Sequence, residues 1–291
     1  MRMKTLKQRL QQTFRRLGVY DRLKASCLYD CYWKIADSRV IKQRDCEVEF
    51  YRNVLKGFRN GDFIFDIGAN HGSKVDVFLR LGAKVLAVEP DEFNQRVLKR
   101  KFLDYRISPK PVTIVGKAVS DNAASQIMWV DAPGSAKNTL SSKWVETLRE
   151  NEERFGVRMD FAQTKKVQTT TLEELIAAYG EPIFVKIDVE GYEPNVLRGL
   201  KRPVKYLSFE VNLPEFKTEG LECLELLEKI SKTGRFNYTL DCQRGLALNR
   251  WMGFQEFVQA FNACTEPCVE VFWNAEVKAR LPGNQLIRNN L

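Results

Sequence analysis

From Gly61 onward the chain alternates short apolar runs with longer stretches in which apolar residues recur at helical spacing. DFIFDI (62–67), AKVLAVE (83–89) and VTIVGKAV (112–119) read as strands, and the segments 73–80 and 91–103 between them read as helices. Strand and helix in alternation imply a parallel sheet wrapped by helices. IMWVD (127–131) reads as a short added strand. The polar stretch 131–166, which holds PGSAKNTLSS and the charged helix candidate KWVETLREN, interrupts the alternation as an insertion or lid would. It resumes with TTLEELIAAYG, a helix opened by Thr170 or Thr171 with Glu173 and Glu174 in its first turn, where acids favour the dipole. IFVKIDV (183–189), a helix near 194–200, VKYLSFEV (204–211), the helix LECLELLEKISK and the strands FNYTLD and CVEVFW follow. This pattern predicts one doubly wound α/β domain over 51–291 with an insertion at about 131–166, preceded by a helical extension over 1–50.

The extension is a basic amphipathic stretch. Leu6, Leu10, Phe14 and Leu17 fall at helical spacing among Arg2, Lys4, Lys7, Arg9, Arg15 and Arg16. Residues 1–25 can lie on the anionic inner face of a membrane or contact nucleic acid, or form a solvated helix whose apolar stripe packs on the main domain or on a partner subunit. The net charge of +9 bears on partners rather than on fold. Seven cysteines with no framework spacing fit reduced thiols in a cytoplasmic protein, and a single histidine leaves Cys27, Cys31, Cys264 and Cys268 short of a zinc ligand set. No run approaches the ~20 apolar residues of a membrane span.

Candidate chemistry begins at FDIGANHG (65–72), which joins a strand to a helix. Gly68 and Gly72 permit a sharp turn whose amides can face a ligand. About twenty residues on, the second strand ends at Glu89, where a carboxylate can accept hydrogen bonds from both hydroxyls of a ribose. The pair predicts an adenosine-containing ligand. GxGxxG is absent: Ala69, Asn70 and His71 separate the glycines, and Asp66 precedes them. An acid there repels a pyrophosphate and suits a cation, so S-adenosylmethionine is favoured over a dinucleotide.

FDIGANHG, AVEP, KAVSD (117–121), VQTTTLEEL (167–175), VKIDVEGYEPNVLRG (185–199) and LSFEVN (207–212), in that order, resemble the FkbM-like family of S-adenosylmethionine-dependent methyltransferases. The resemblance covers about residues 60–212, and KIDVEGxExxVLxG is its most specific part. It implies a Rossmann-like class I methyltransferase fold with a mostly parallel seven-stranded sheet, and methyl transfer to a hydroxyl of a small-molecule, glycolipid or glycan acceptor. It further implies that Asp66, Gly68, Asn70 and Gly72 line the methionine half of the donor, with Ala69 and His71 in the same loop. Glu89 would hold the ribose, Ser120 or Asp121 would lie near the adenine, and Asp188 would stand where donor and acceptor meet. His71 stands where the family tends to have an apolar residue, and is read as a loop residue covering the cofactor rather than as a base.

Asp188, Glu190 and Glu193 point to the same chemistry without the family. Moving a methyl from sulfonium to alcohol requires an aligned hydroxyl and the loss of its proton, and clustered carboxylates can orient the one and accept the other. Glu193 has a second reading, an acid in a helix first turn before Pro194. With Glu210 the acids could hold a divalent metal, although no full ligand set is apparent. An acidic pocket mouth, and Asp-Val-Glu-Gly where base methylases carry Asn-Pro-Pro-aromatic, disfavour a nucleic-acid acceptor.

Overall fold

The computed structural model describes residues 38–103, 105, 111–151 and 161–276. The basic stretch 1–25, Cys27 and Cys31 lie outside the described residues, as do 152–160 of the insertion. Helix α1 (Ser38–Val54) leads into strand β1 (Phe63–Ile67), helix α2 (Ser73–Leu81), β2 (Lys84–Val88), α3 (Glu92–Lys101) and β3 (Val112–Val115). Next come β4 (Ala118–Val119), β5 (Ser125–Val130), α4 (Ser142–Glu150), β6 (Gln163–Thr170), α5 (Leu172–Tyr179), β7 (Phe184–Ile187) and α6 (Glu193–Arg198). The chain continues through β8 (Tyr206–Asn212), α7 (Lys217–Ile230), β9 (Arg235–Thr239), α8 (Phe254–Asn262) and β10 (Cys268–Asn274).

Seven strands form the main sheet in the order β3-β2-β1-β7-β8-β10-β9. All are parallel except β10, which runs antiparallel to both of its neighbours. This is the class I methyltransferase arrangement, an α/β sheet wound in both directions from β1. β1 and β7 are buried on both faces because helices cover both, and apolar but for Asp66 and Lys186. Phe65, Ile67, Val185, Ile187, Leu207 and Phe209 face one layer, built with Leu172, Leu175, Leu224, Leu227, Phe257 and Phe261 from α5, α7 and α8. Ile64, Phe184 and Phe272 face the other, with Tyr51 of α1 and Val75 and Phe78 of α2. The Phe184 and Phe272 rings stack with centroids 6.1 Å apart, and Tyr51 meets Phe78 edge-on at 5.0 Å. Each such side chain contributes about 1.5–3 kcal/mol by leaving water.

The structure moves several boundaries. α1 crosses the limit drawn at residue 50, and Val48, Phe50, Tyr51 and Val54 belong to the core, so the core reaches back past that limit. The run 112–119 is two strands: Gly116 and Lys117 break it, and β4 leaves the main sheet to pair with β6. A second, three-stranded sheet, β4-β6-β5, thus flanks the insertion, which joins β5 to β6. β6 had no apolar signature because its burial falls chiefly on Val167, Thr169 and Thr170. Thr171 rather than Thr170 caps α5, in a capping box with Glu174. Helix α8 was not read from the sequence. No helix among the described residues is long and apolar enough to cross a membrane.

Candidate functional site

The strand order turns back between β1 and β7, and this is where a doubly wound sheet opens a crevice at its carboxyl edge. A cleft of about 700 Å³ opens there. Its floor is Gly68 and Asn70 after β1, Glu89 and Pro90 after β2, and Asp188, Val189 and Glu190 after β7, and its roof is Ser135–Leu140 from the insertion. Gly68 is required by contact: its φ is +84°, and a Cβ on it would lie 1.8 Å from the Asp188 carbonyl oxygen. The donor loop therefore lies flat on the end of β7.

Glu89 organises that loop. The backbone N–H groups of Asn70 and Asp91 donate to its two carboxylate oxygens, each over 2.8 Å, and the Asn94 side-chain amide donates to it as well. Burial nevertheless pushes its pKa up to about 7. Asn94, buried in the first turn of α3 and lining the cleft, has a carbonyl Oδ1 with no hydrogen-bond partner among the described residues. A buried orphan acceptor beside a carboxylate that accepts hydroxyl protons suits a polyhydroxylated nucleoside. Together with the flat Gly68 turn and the carboxylates at the other end, the residues fit S-adenosylmethionine: Glu89 and Asn94 at the ribose, and Asn70, Asp188 and Glu190 toward the cationic half.

The roof is tied down at both ends. Asp91 caps α3 by accepting from the Phe93 N–H, and its other oxygen accepts from Gly134 N–H at 2.8 Å and Asn138 Nδ2 at 2.9 Å. At the opposite end the Thr139 hydroxyl donates to the Glu190 carbonyl over 2.8 Å, and Lys137 Nζ lies 3.5 Å from Glu190 Oε1. Glu190 has φ +55°, a left-handed conformation that costs a non-glycine residue of order 1–3 kcal/mol and is retained where surrounding contacts fix it.

The acids of the third turn have separate environments. Lys186, buried in β7, donates to Asp188 Oδ2 at 2.7 Å. Burial opposes the lysine charge, but Asp188, Glu270 and Asp66 together outweigh it and hold its pKa above the ordinary lysine value. The Asp188 side chain stays about 35% exposed and reaches the cleft. The Glu190 side chain is 14% exposed; its burial, abetted by Asp188, Glu210 and Glu193 and opposed by Lys137, raises its pKa to about 8.

Of the residues expected at the site, Gly68, Asn70, Glu89, Asp188 and Glu190 are brought together around the cleft. The rest sit elsewhere. Asp66 lies beneath the loop in β1, in register with Lys186, and burial raises its pKa to about 6. Ala69 is buried, Gly72 caps α2, and His71 is exposed with its ring 6.4 Å from that of Phe93. The Ser120 hydroxyl is 3.0 Å from Asp121 Oδ1 and from the Tyr192 hydroxyl, behind the cleft wall; Lys117, Ala118 and Val119 line the wall instead. Glu193 braces the turn by accepting from the N–H groups of Val189 and Gly191, both at 3.2 Å, so its helix-turn reading describes its position and it does not reach the cleft. Among the described residues no group of three or more His, Cys, Asp or Glu is arranged to hold a metal ion. Sequence reasoning passed over Asp91, Asn94 and Thr139. Asp91 was visible as an acid directly before a helix, a capping signal; Asn94 and Thr139 carried no signal.

The profile of the methyltransferase FkbM domain matches residues 66–238. Among solved structures, methyltransferase FkbM from Methylobacillus flagellatus KT is similar at 15% identity and a TM-score of 0.49, the match covering 78% of this chain and 47% of that one. The chain thus spans about half the length of that relative. A TehB-like SAM-dependent methyltransferase from Corynebacterium glutamicum is similar at 9% identity, with 79% and 88% coverage and a TM-score of 0.42. A SAM-dependent O-methyltransferase from Thermotoga maritima is similar at 14% identity, with 81% and 66% coverage and a TM-score of 0.37. No curated protein matches.

Proposed function

Since the chain belongs to the FkbM family of S-adenosylmethionine-dependent methyltransferases, we propose that it transfers the methyl group to a hydroxyl oxygen of a small-molecule or glycan acceptor such as a sugar, glycolipid or secondary metabolite. The observation that carries this reading is the pair of carboxylates at one end of the cleft, Asp188 and Glu190, facing the Glu89 end across a single floor. When bound, S-adenosylmethionine supplies an electrophilic methyl on a sulfonium. The chain's own groups do the remainder. Glu89 and Asn94 hold hydroxyls, and the loop after β1 sets the ligand against the end of β7. Asp188, fixed by Lys186, orients the acceptor hydroxyl. Glu190 accepts its proton: a carboxylate with a pKa near 8 is a much better base than an ordinary one, and it matches neutral to mildly alkaline working conditions. The Ser135–Leu140 roof excludes water from the reacting atoms.

The test is incubation of the purified protein with labelled S-adenosylmethionine and a polar and lipid metabolite extract, followed by mass analysis of whatever gains one methyl. An oxygen-linked methyl on a hydroxylated product supports the reading. A product methylated on nitrogen or carbon, or label retained only by RNA, would set it aside.

A further inference from the structure

The geometry points to Thr139 as a positioning residue of methyl transfer: a hydroxyl of the roof that fixes Glu190 in its left-handed conformation and so aims the base. This rests on the reading of the cleft as the donor site and of Glu190 as proton acceptor. Thr139 is 1% exposed. Its backbone is clamped to β5, donating to the Trp129 carbonyl at 3.1 Å and accepting from the Trp129 N–H at 2.8 Å. Its hydroxyl accepts from Ser141 N–H at 2.9 Å and donates its single O–H to the Glu190 carbonyl at 2.8 Å, with the Val189 carbonyl a longer second acceptor at 3.4 Å. A rigid donor thus meets a turn whose carbonyls would have to reorient if Glu190 relaxed from φ +55° to an ordinary β or α conformation. Gly191 follows with φ +83°, and Glu193 holds the Val189 and Gly191 N–H groups, so the turn is gripped from below by Glu193 and from above by Thr139. The charged groups acting on the Glu190 carboxylate are Lys137 from the roof, Asp188 and Glu193 from its own turn and Glu210 from β8.

The same roof is pinned to the ribose end by Asp91. The roof segment that meets Glu190 is thus also anchored beside Glu89.

The experiment compares full-length wild type, Thr139→Val and Thr139→Ser, using S-adenosylhomocysteine as the donor probe and the metabolite extract as acceptor. Wild type should bind the probe and, on binding, show slowed amide exchange in both 131–141 and 188–193. Thr139→Val should bind it within about threefold and still protect 131–141. It should exchange 188–193 several-fold faster and lose about tenfold or more in methyl incorporation, with an altered pH profile. Thr139→Ser, which restores the O–H, should recover exchange and turnover. Thr139→Ala provides a second hydroxyl-free variant if the valine side chain lowers the melting temperature. Wild-type turnover and protection of 188–193 in the hydroxyl-free variants would overturn the inference, as would loss of donor binding in parallel with turnover. Failure of wild type to bind the probe would instead count against the donor-site reading itself.

Discussion

Lys186 Nζ lies 2.7 Å from Asp188 Oδ2, so the strand-end carboxylate that meets the cleft is half of a largely buried ion pair. Glu190, two residues on, has no buried partner of this kind and is pushed up to about 8. On the proposed reading the two neighbouring carboxylates would divide into an orienting group and a base. Glu190→Gln should lower methyl incorporation by about 10²–10⁴-fold with the melting temperature nearly unchanged. Asp188→Asn should lower both, because Lys186 keeps its charge with one carboxylate fewer, a loss of about 2 kcal/mol. Methyl-incorporation assays and thermal melts on the two variants check the division; equal stability losses would contradict it.

Gly68 admits no side chain. Gly68→Ala would place a methyl 1.8 Å from the Asp188 oxygen in a backbone conformation that L-residues avoid. The expected cost is at least about 2 kcal/mol, together with loss of donor binding, because β1 and β7 would be forced apart where the loop crosses. Denaturant melts and calorimetric titration with S-adenosylhomocysteine measure the two effects.

Burial raises five carboxyl pKa values: Asp66 to about 6, Glu89 to about 7, Glu190 and Glu193 to about 8, and Glu210 above its ordinary value. The folded chain therefore binds more protons than the unfolded one between about pH 4 and pH 8, and stability should fall as pH rises through that window. Donor affinity should move the other way. The ionised form of Glu89 accepts ribose hydroxyls best, so the dissociation constant should decrease from pH 6 to pH 8, and Glu89→Gln should weaken binding and flatten this dependence. Melts and titrations across that range are the check; affinity that declines toward pH 8 would refute the assignment.

Asp91 caps a helix and anchors the roof with one carboxylate. Asp91→Ala should lose about 1 kcal/mol for the cap and more for the Gly134 N–H and Asn138 amide left unsatisfied. Donor affinity should drop by about tenfold, and proteolysis within 131–141 should quicken, whereas Asp91→Asn should retain part of both.

The sheet was legible because its central strands are largely apolar on both faces, and the donor loop because only glycine serves at Gly68. Asp188 and Glu190 were legible as charges interrupting a core strand. β6 was opaque, since threonine, lysine and glutamine fill seven of its eight positions and its burial rests on Val167, Thr169 and Thr170. The role of Glu193 depended on which way one side chain points, and two backbone N–H groups decide that. Thr139 and Glu190 are 51 positions apart in sequence, and no periodicity connects them.

The accessory sheet has a small apolar centre of its own, Ala118, Met128, Val130 and Val167, with Leu140 packed against it, separate from the two layers that sandwich the main sheet. Leu140 is therefore the roof's apolar anchor, and Leu140→Ala would loosen the Ser135–Leu140 segment from β4, β5 and β6 while the layers on the main sheet keep their contacts.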